Sequence, residues 1–187
     1  SRRLRPDHCD LRKPFRQCAE FSWRALFAGQ RSGRSIPVAS LMERNIALAI
    51  AAGELVGTQF RLQGRDPAHG LDCIGLVIVS LARIGIKLHL PADYRPRRRR
   101  FEIPENALQR AGLERTQAPY APGDILLLRT APAQVHLAIV RDADSVIHAH
   151  AGLGRVVAQP LIESWTIAAA WRFAKETVPK GDNAWPR

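Results

Sequence analysis

Gly70-Leu71-Asp72-Cys73-Ile74-Gly75-Leu76-Val77-Ile78-Val79-Ser80-Leu81-Ala82-Arg83-Ile84-Gly85 is the stretch on which the fold turns. Its β-branched residues would suit a strand, but the apolar run is long for one. Asp72 stands where a helix N-cap belongs, and Gly85 lies just past the far end. A buried helix is therefore predicted, with Cys73 in its first turn. Backbone N–H groups there lack intrahelical acceptors, and the positive end of the helix dipole is at hand. A thiolate at Cys73 would be stabilised, and the same N–H groups could hold a developing oxyanion. The alternative is a buried, inert cysteine packed as a small hydrophobe. Gly70 and Gly75 on either side favour the reactive cysteine, because they let a substrate backbone come close.

Working outward, a helix is predicted from Met42, with Ile46, Ile50 and Leu55 as its apolar stripe, ending near Gly57. Residues 63–70 are rich in turn formers and are assigned to a loop. Prolines and arginines assign 91–106 to loop, with a short helix over 105–111. After Pro122-Gly123 the pattern changes to short strands: Ile125–Arg129, Val135–Arg141, Ser145–Ala149, Gly154–Val157 and Ala168–Phe173. Helices first and sheet second imply an α+β fold, the Cys helix packing on an antiparallel sheet. Trp165 and Trp171 are assigned to core or sheet-edge packing.

Histidines on the strands supply the second chemical element. If residues 141–143 form the turn of a hairpin, position 136 falls opposite 148, and opposed side chains share a face. A register two residues different sets His150 opposite His136 instead. Either His148 or His150 could then orient the His136 ring. A thiol needs a base, and the base needs a third group to hold its tautomer. Cys73, His136 and His148 (or His150) supply those three parts. A zinc site built from one cysteine and two or three histidines is the rival arrangement. A closed metal site has no use for glycines around a cysteine at a helix start, so no metal or other cofactor is expected.

The chain has 187 residues and a net charge of +11, with 46% hydrophobic residues, enough to bury a core. The charge is local. Residues 1–41 hold nine Lys/Arg against three Asp/Glu, and Arg95, Arg97, Arg98, Arg99 and Arg100 form a second cluster. Solvated chain is the expectation for both patches. An acidic polymer, including anionic cell wall, is the next candidate partner, and no specific nucleic-acid partner is expected. Residues 1–41 are assigned to a disordered basic extension or to upstream sequence before Met42, residues 42–175 to one domain, and 176–187 to a flexible tail. No apolar run spans a membrane or has signal-peptide length. Cys9, Cys18 and Cys73 are an odd set without a Cys-x-x-Cys pair, so neither a disulfide framework nor a zinc ribbon is indicated.

Four segments in order resemble NlpC-type cell-wall cysteine peptidases. Gly70-Leu71-Asp72-Cys73-Ile74-Gly75-Leu76-Val77 is similar to their nucleophile motif, and Pro122-Gly123-Asp124-Ile125-Leu126-Leu127 to their Pro-Gly-Asp-Leu strand. Val135-His136-Leu137-Ala138-Ile139-Val140 resembles the strand that carries the base, and Val146-Ile147-His148-Ala149 the strand that carries the third polar residue. The resemblance spans about residues 45–173. It implies a papain-like α+β core and hydrolysis of peptidoglycan stem peptides, commonly at a D-γ-glutamyl–diaminopimelate bond. It makes Cys73 the nucleophile, His136 the base and His148, not His150, the orienting residue. It also implies that Asp72 and Phe60 contribute to substrate binding.

Ile74 replaces the family's serine, and Phe60 replaces a tyrosine. The Asp-Cys-hydrophobic-Gly-Leu variant resembles a phage and gene-transfer-agent tail branch, which implies tail proteins as partners and delivery to the wall on a particle. A non-catalytic structural or wall-binding tail component, and a related thiol amidase or acyltransferase, are the alternatives.

Overall fold

The computed structural model describes residues 41–90, 103–131 and 134–174. The basic extension, the arginine run and the expected tail 176–187 lie outside the described residues, except that Leu41 opens the first helix. Among the described residues no helix is long and apolar enough to cross a membrane.

Helix α1 (Leu41–Gly53) is followed by a two-stranded hairpin, β1 (Arg65–Asp66) and β2 (Gly70–Leu71). Next come α2 (Cys73–Arg83), the short α3 (Glu105–Arg110) and β3 (Leu113–Arg115). The chain then runs through β4 (Ile125–Ala131), β5 (Gln134–Val140), β6 (Ser145–His150), β7 (Arg155–Pro160) and β8 (Thr166–Phe173). The last six strands form one antiparallel sheet in the order β3-β8-β4-β5-β6-β7. Helices first and antiparallel sheet second is the α+β arrangement expected.

Helix α2 forms because its ends are specified. The Asp72 carboxylate accepts the Gly75 N–H at 2.7 Å, which is the N-cap bond. At the other end Gly85, at φ 83°, allows its own N–H to reach Ala82 O, and Ile86 N–H to reach Leu81 O. Between the caps Ile74, Leu76, Val77 and Leu81 are buried. Each contributes about 1.5–3 kcal/mol on leaving water. They join Leu48 and Leu55 on one side and Ile125, Leu137, Ile139, Ile147 and Trp171 from the sheet on the other. The opposite face of the sheet carries a smaller cluster of Leu126, Leu128, Ala138, Val140, Val146 and Ala170, roofed by Tyr120, Leu161, Trp165 and Ile167.

Three local expectations differ from the structure. Helix α1 buries Asn45, Leu48, Ala49 and Ala52, whereas Ile46 is exposed. The turn at Gly123 explains the choice. A Cβ there would lie 1.9 Å from Asn45 O, so α1 meets the sheet through its small and polar side. The segment 63–70 is not all loop, since Arg65–Asp66 pairs with Gly70–Leu71. Strand β3 is absent from the expectations because three residues, two of them exposed and charged, carry no alternation to detect.

Candidate active site

Cys73 is the first residue of α2 and is 4% exposed, in the main core cluster. Its helix packs on β5 and β6 through the face of Leu137, Ile139 and Ile147, whereas strand alternation sets His136 and His148 on the face of Ala138, Val140 and Val146. Asp72, immediately before it, is fully buried. Its carboxylate is bonded to the protein on both oxygens: Oδ1 accepts Gly75 N–H and the Arg65 guanidinium at 2.5 Å, and Oδ2 accepts Gln63 N–H at 2.8 Å. The helix-capping role is thus the one displayed, whereas the expected contact to substrate would have to compete with Arg65.

The flanking glycines are also explained from within. A Cβ on Gly75 would lie 2.0 Å from Gly64 O, and one on Gly70 would lie 2.7 Å from the Arg61 Cβ. These glycines let the 59–64 segment cross the start of α2, so the space assigned to substrate is filled by the protein's own backbone. Phe60 is half-buried against the main core; its N–H donates to Gly154 O at 2.8 Å, and it bridges to Leu71.

His136 and His148 meet directly. His136 Nε2 lies 2.7 Å from His148 Nδ1, with the rings nearly perpendicular. The register behind this contact is the two-residue alternative, not the first one drawn from a three-residue turn. Val140 pairs with Val146 and Ala138 with His148. The turn is wider because the Asp142 side chain accepts the Asp144 N–H, while Ser145 O takes the N–H groups of Arg141 and Asp142. His148 reaches His136 along the diagonal of the ladder, a separation long side chains span. The His150 ring lies 5.4 Å from that of His148, and its Nδ1 accepts the Leu153 N–H at 3.1 Å.

Burial is the main force on the electrostatics of this pair. It drives the His136 pKa down to about 3, helped by the neighbouring charges of His148 and His150. His148 is also lowered, first by burial and then by His150, while a side-chain hydrogen bond with Gln159 opposes the fall. Both shifts favour neutral rings at physiological pH. His148 Nε2 is buried without an aligned partner among the described residues, and Gln159 on β7 is the diagonal neighbour of His148. The Trp165 ring lies nearly perpendicular to the His148 ring, with the ring centres 5.5 Å apart.

Two histidine nitrogens sharing a tetrahedral zinc at its usual bond lengths would stand about 3.3 Å apart. The 2.7 Å separation is that of a hydrogen bond. Among the described residues no group of three or more His, Cys, Asp or Glu side chains is arranged to hold a metal ion.

The NlpC/P60 family model matches residues 57–173 of the sequence. The chain belongs to the NlpC/P60 family. Three solved structures are similar to this NlpC/P60 chain, each with a TM-score of 0.52. NlpC2 and NlpC1 from Trichomonas vaginalis are 19% and 20% identical over 74% and 77% of this chain, and 49% and 48% of their own. The chain thus spans about half the length of those two proteins. The peptidoglycan hydrolase RipB from Mycobacterium tuberculosis is 18% identical, with 80% of this chain and 78% of that one covered. At these identities the likeness is one of fold. No curated protein gives a significant match. The NlpC/P60 family is one of peptidoglycan hydrolases of cysteine-peptidase type.

Arg65, Gln159 and Trp165 were not assigned to the site from sequence. Arg65 has no signal beyond a basic residue in a turn-rich segment. Gln159 had one: alternation along β7 sets it on the same face as Val157, the residue paired with His148.

Proposed function

We propose that this chain is a cysteine endopeptidase that hydrolyses peptidoglycan stem peptides, at a D-γ-glutamyl–diaminopimelate type of bond. Cys73 is the nucleophile, His136 the general base and acid, and His148 the residue that orients it. The 2.7 Å bond from His136 Nε2 to His148 Nδ1, on strands packed against the Cys helix, is the observation that carries this assignment. With Nε2 committed, Nδ1 is the His136 nitrogen assigned to the thiol.

Because burial favours a neutral His136, the resting site is assigned a thiol beside a neutral imidazole. The ring takes the thiol proton as sulfur attacks the scissile carbonyl. The first-turn N–H groups of α2 that Asp72 leaves unoccupied are assigned to the developing oxyanion. His136 then gives its proton to the leaving amine, and water hydrolyses the thioester with His136 again as base. The Asp-Cys-Ile-Gly-Leu form of the motif supports association with a phage-like tail as the route to the wall.

The test is digestion of purified sacculi followed by mass analysis of the released muropeptides. Wild-type protein is expected to release products cut in the stem peptide, and Cys73→Ala, folded by circular dichroism, none. Equal product from both proteins would reject the mechanism.

A further inference from the structure

We propose that Gln159 is a positioning residue whose amide oxygen accepts the Nε2–H of His148, fixing the ring protons of the His148–His136 pair in the order that leaves His136 Nδ1 able to take a proton. This deepens the peptidase assignment and rests on it. Each neutral imidazole carries one ring proton, so the bond between His136 Nε2 and His148 Nδ1 can be written in two directions. In one, His136 donates, His148 carries its proton on Nε2, and His136 Nδ1 keeps a lone pair for the thiol proton. In the other, His148 donates from Nδ1, and the His136 proton sits on Nδ1, where it blocks the base. The choice between them is made at the far nitrogen of His148.

That nitrogen is buried, in a residue only 3% exposed, and lacks an aligned partner. A proton held there needs an acceptor. Strand β7 pairs Val157 with His148 and Gln159 with Val146, so Gln159 shares the His148 face and is its diagonal neighbour. Arg155 lies on the same face, but a guanidinium has only donors, and its Nε donates to Leu153 O. Trp165 offers no lone pair there, only the weak acceptor of its ring face. His150, its ring 5.4 Å away, has its Nδ1 lone pair taken by the Leu153 N–H, which leaves Nε2 a donor in the neutral ring. Among the described residues of this face Gln159 is therefore the one able to supply a strong acceptor by side-chain rotation. Its upward pull on the His148 pKa has the sign of an acceptor that favours a protonated Nε2.

The test uses the full chain labelled with ¹⁵N-histidine, with ring tautomers read by NMR near neutral pH. Wild-type protein is expected to hold the proton on Nε2 in both His136 and His148. Gln159→Met, similar in length but without the amide acceptor, is expected to move a substantial fraction of both rings to the Nδ1–H form. Alkylation of Cys73 by iodoacetamide should then slow about fivefold, the ratio one ordinary hydrogen bond is worth. Gln159→Glu, which keeps an acceptor, is expected to restore the wild-type tautomers and rate, an effect packing alone would not produce. Unchanged tautomers in Gln159→Met, as when the Trp165 ring holds the proton, overturn the proposal. So does wild-type protein already in the Nδ1–H order. The tautomer readout involves no substrate, so inert sacculi would reject the peptidase assignment separately.

Discussion

A histidine held beside two others in a poorly hydrated site is a weak base at rest, and its value lies in where its lone pair points. His148 sets that direction for His136 through the 2.7 Å bond. Replacing it with alanine removes the hold and leaves the His136 ring free to rotate. His148→Ala is expected to lower kcat on a soluble stem peptide by about 10²–10³, within the usual range for proton transfer by a positioned side chain. KM should change little, since His148 is assigned no substrate contact. His148→Asn, which can still offer an oxygen or N–H in part of that space, should retain more activity than alanine. Steady-state kinetics on one peptide compares the three proteins. A fall confined to KM would make His148 a binding residue instead.

At the scale of elements, the start of α2 depends on one carboxylate with three partners. Asp72→Ala removes the N-cap and also strips Arg65 of its counter-charge in a half-buried place. The expected loss is about 2–4 kcal/mol, more than a cap alone and comparable with breaking a buried ion pair. Urea unfolding measures it, and a loss near the roughly 1 kcal/mol of a simple cap would mean Arg65 finds another partner. The same elements show what was legible in the sequence. Asp72 and Gly85 bracketed α2 because caps are local chemistry, and five strands of the large sheet were visible as spaced apolar runs. The first-drawn β5–β6 register was two residues off because the Asp142 side chain widens the turn, a bond that residue spacing does not reveal. The glycines beside Cys73 were visible, but their purpose was not. Whether the empty side of a glycine faces a ligand or another loop depends on contacts distant in sequence, here Gly64 on Gly75.

For the whole molecule, the half-buried, desolvated His136 ring makes stability depend on acidity. His136 in the native state titrates near 3, against an ordinary value of 6.5. Below about pH 6.5 the unfolded chain therefore takes up a proton that the native state refuses, and stability falls as pH drops towards 3. Below 3 both states are protonated, and that contribution levels off. Thermal unfolding at a series of pH values should show the midpoint falling across this window, and His136→Gln should flatten the slope. Equal slopes in the two proteins would mean the ring is already solvated.

Asp72 carries a further consequence. Its carboxylate gathers the amides of Gln63 and Gly75 and the Arg65 guanidinium at one point. An opening that frees one of these groups abandons the others, so in heavy water the Gln63 and Gly75 amides should exchange with a shared opening free energy. The ground beneath the thiol would then breathe as one cooperative unit, instead of a fraying loop beside a rigid helix.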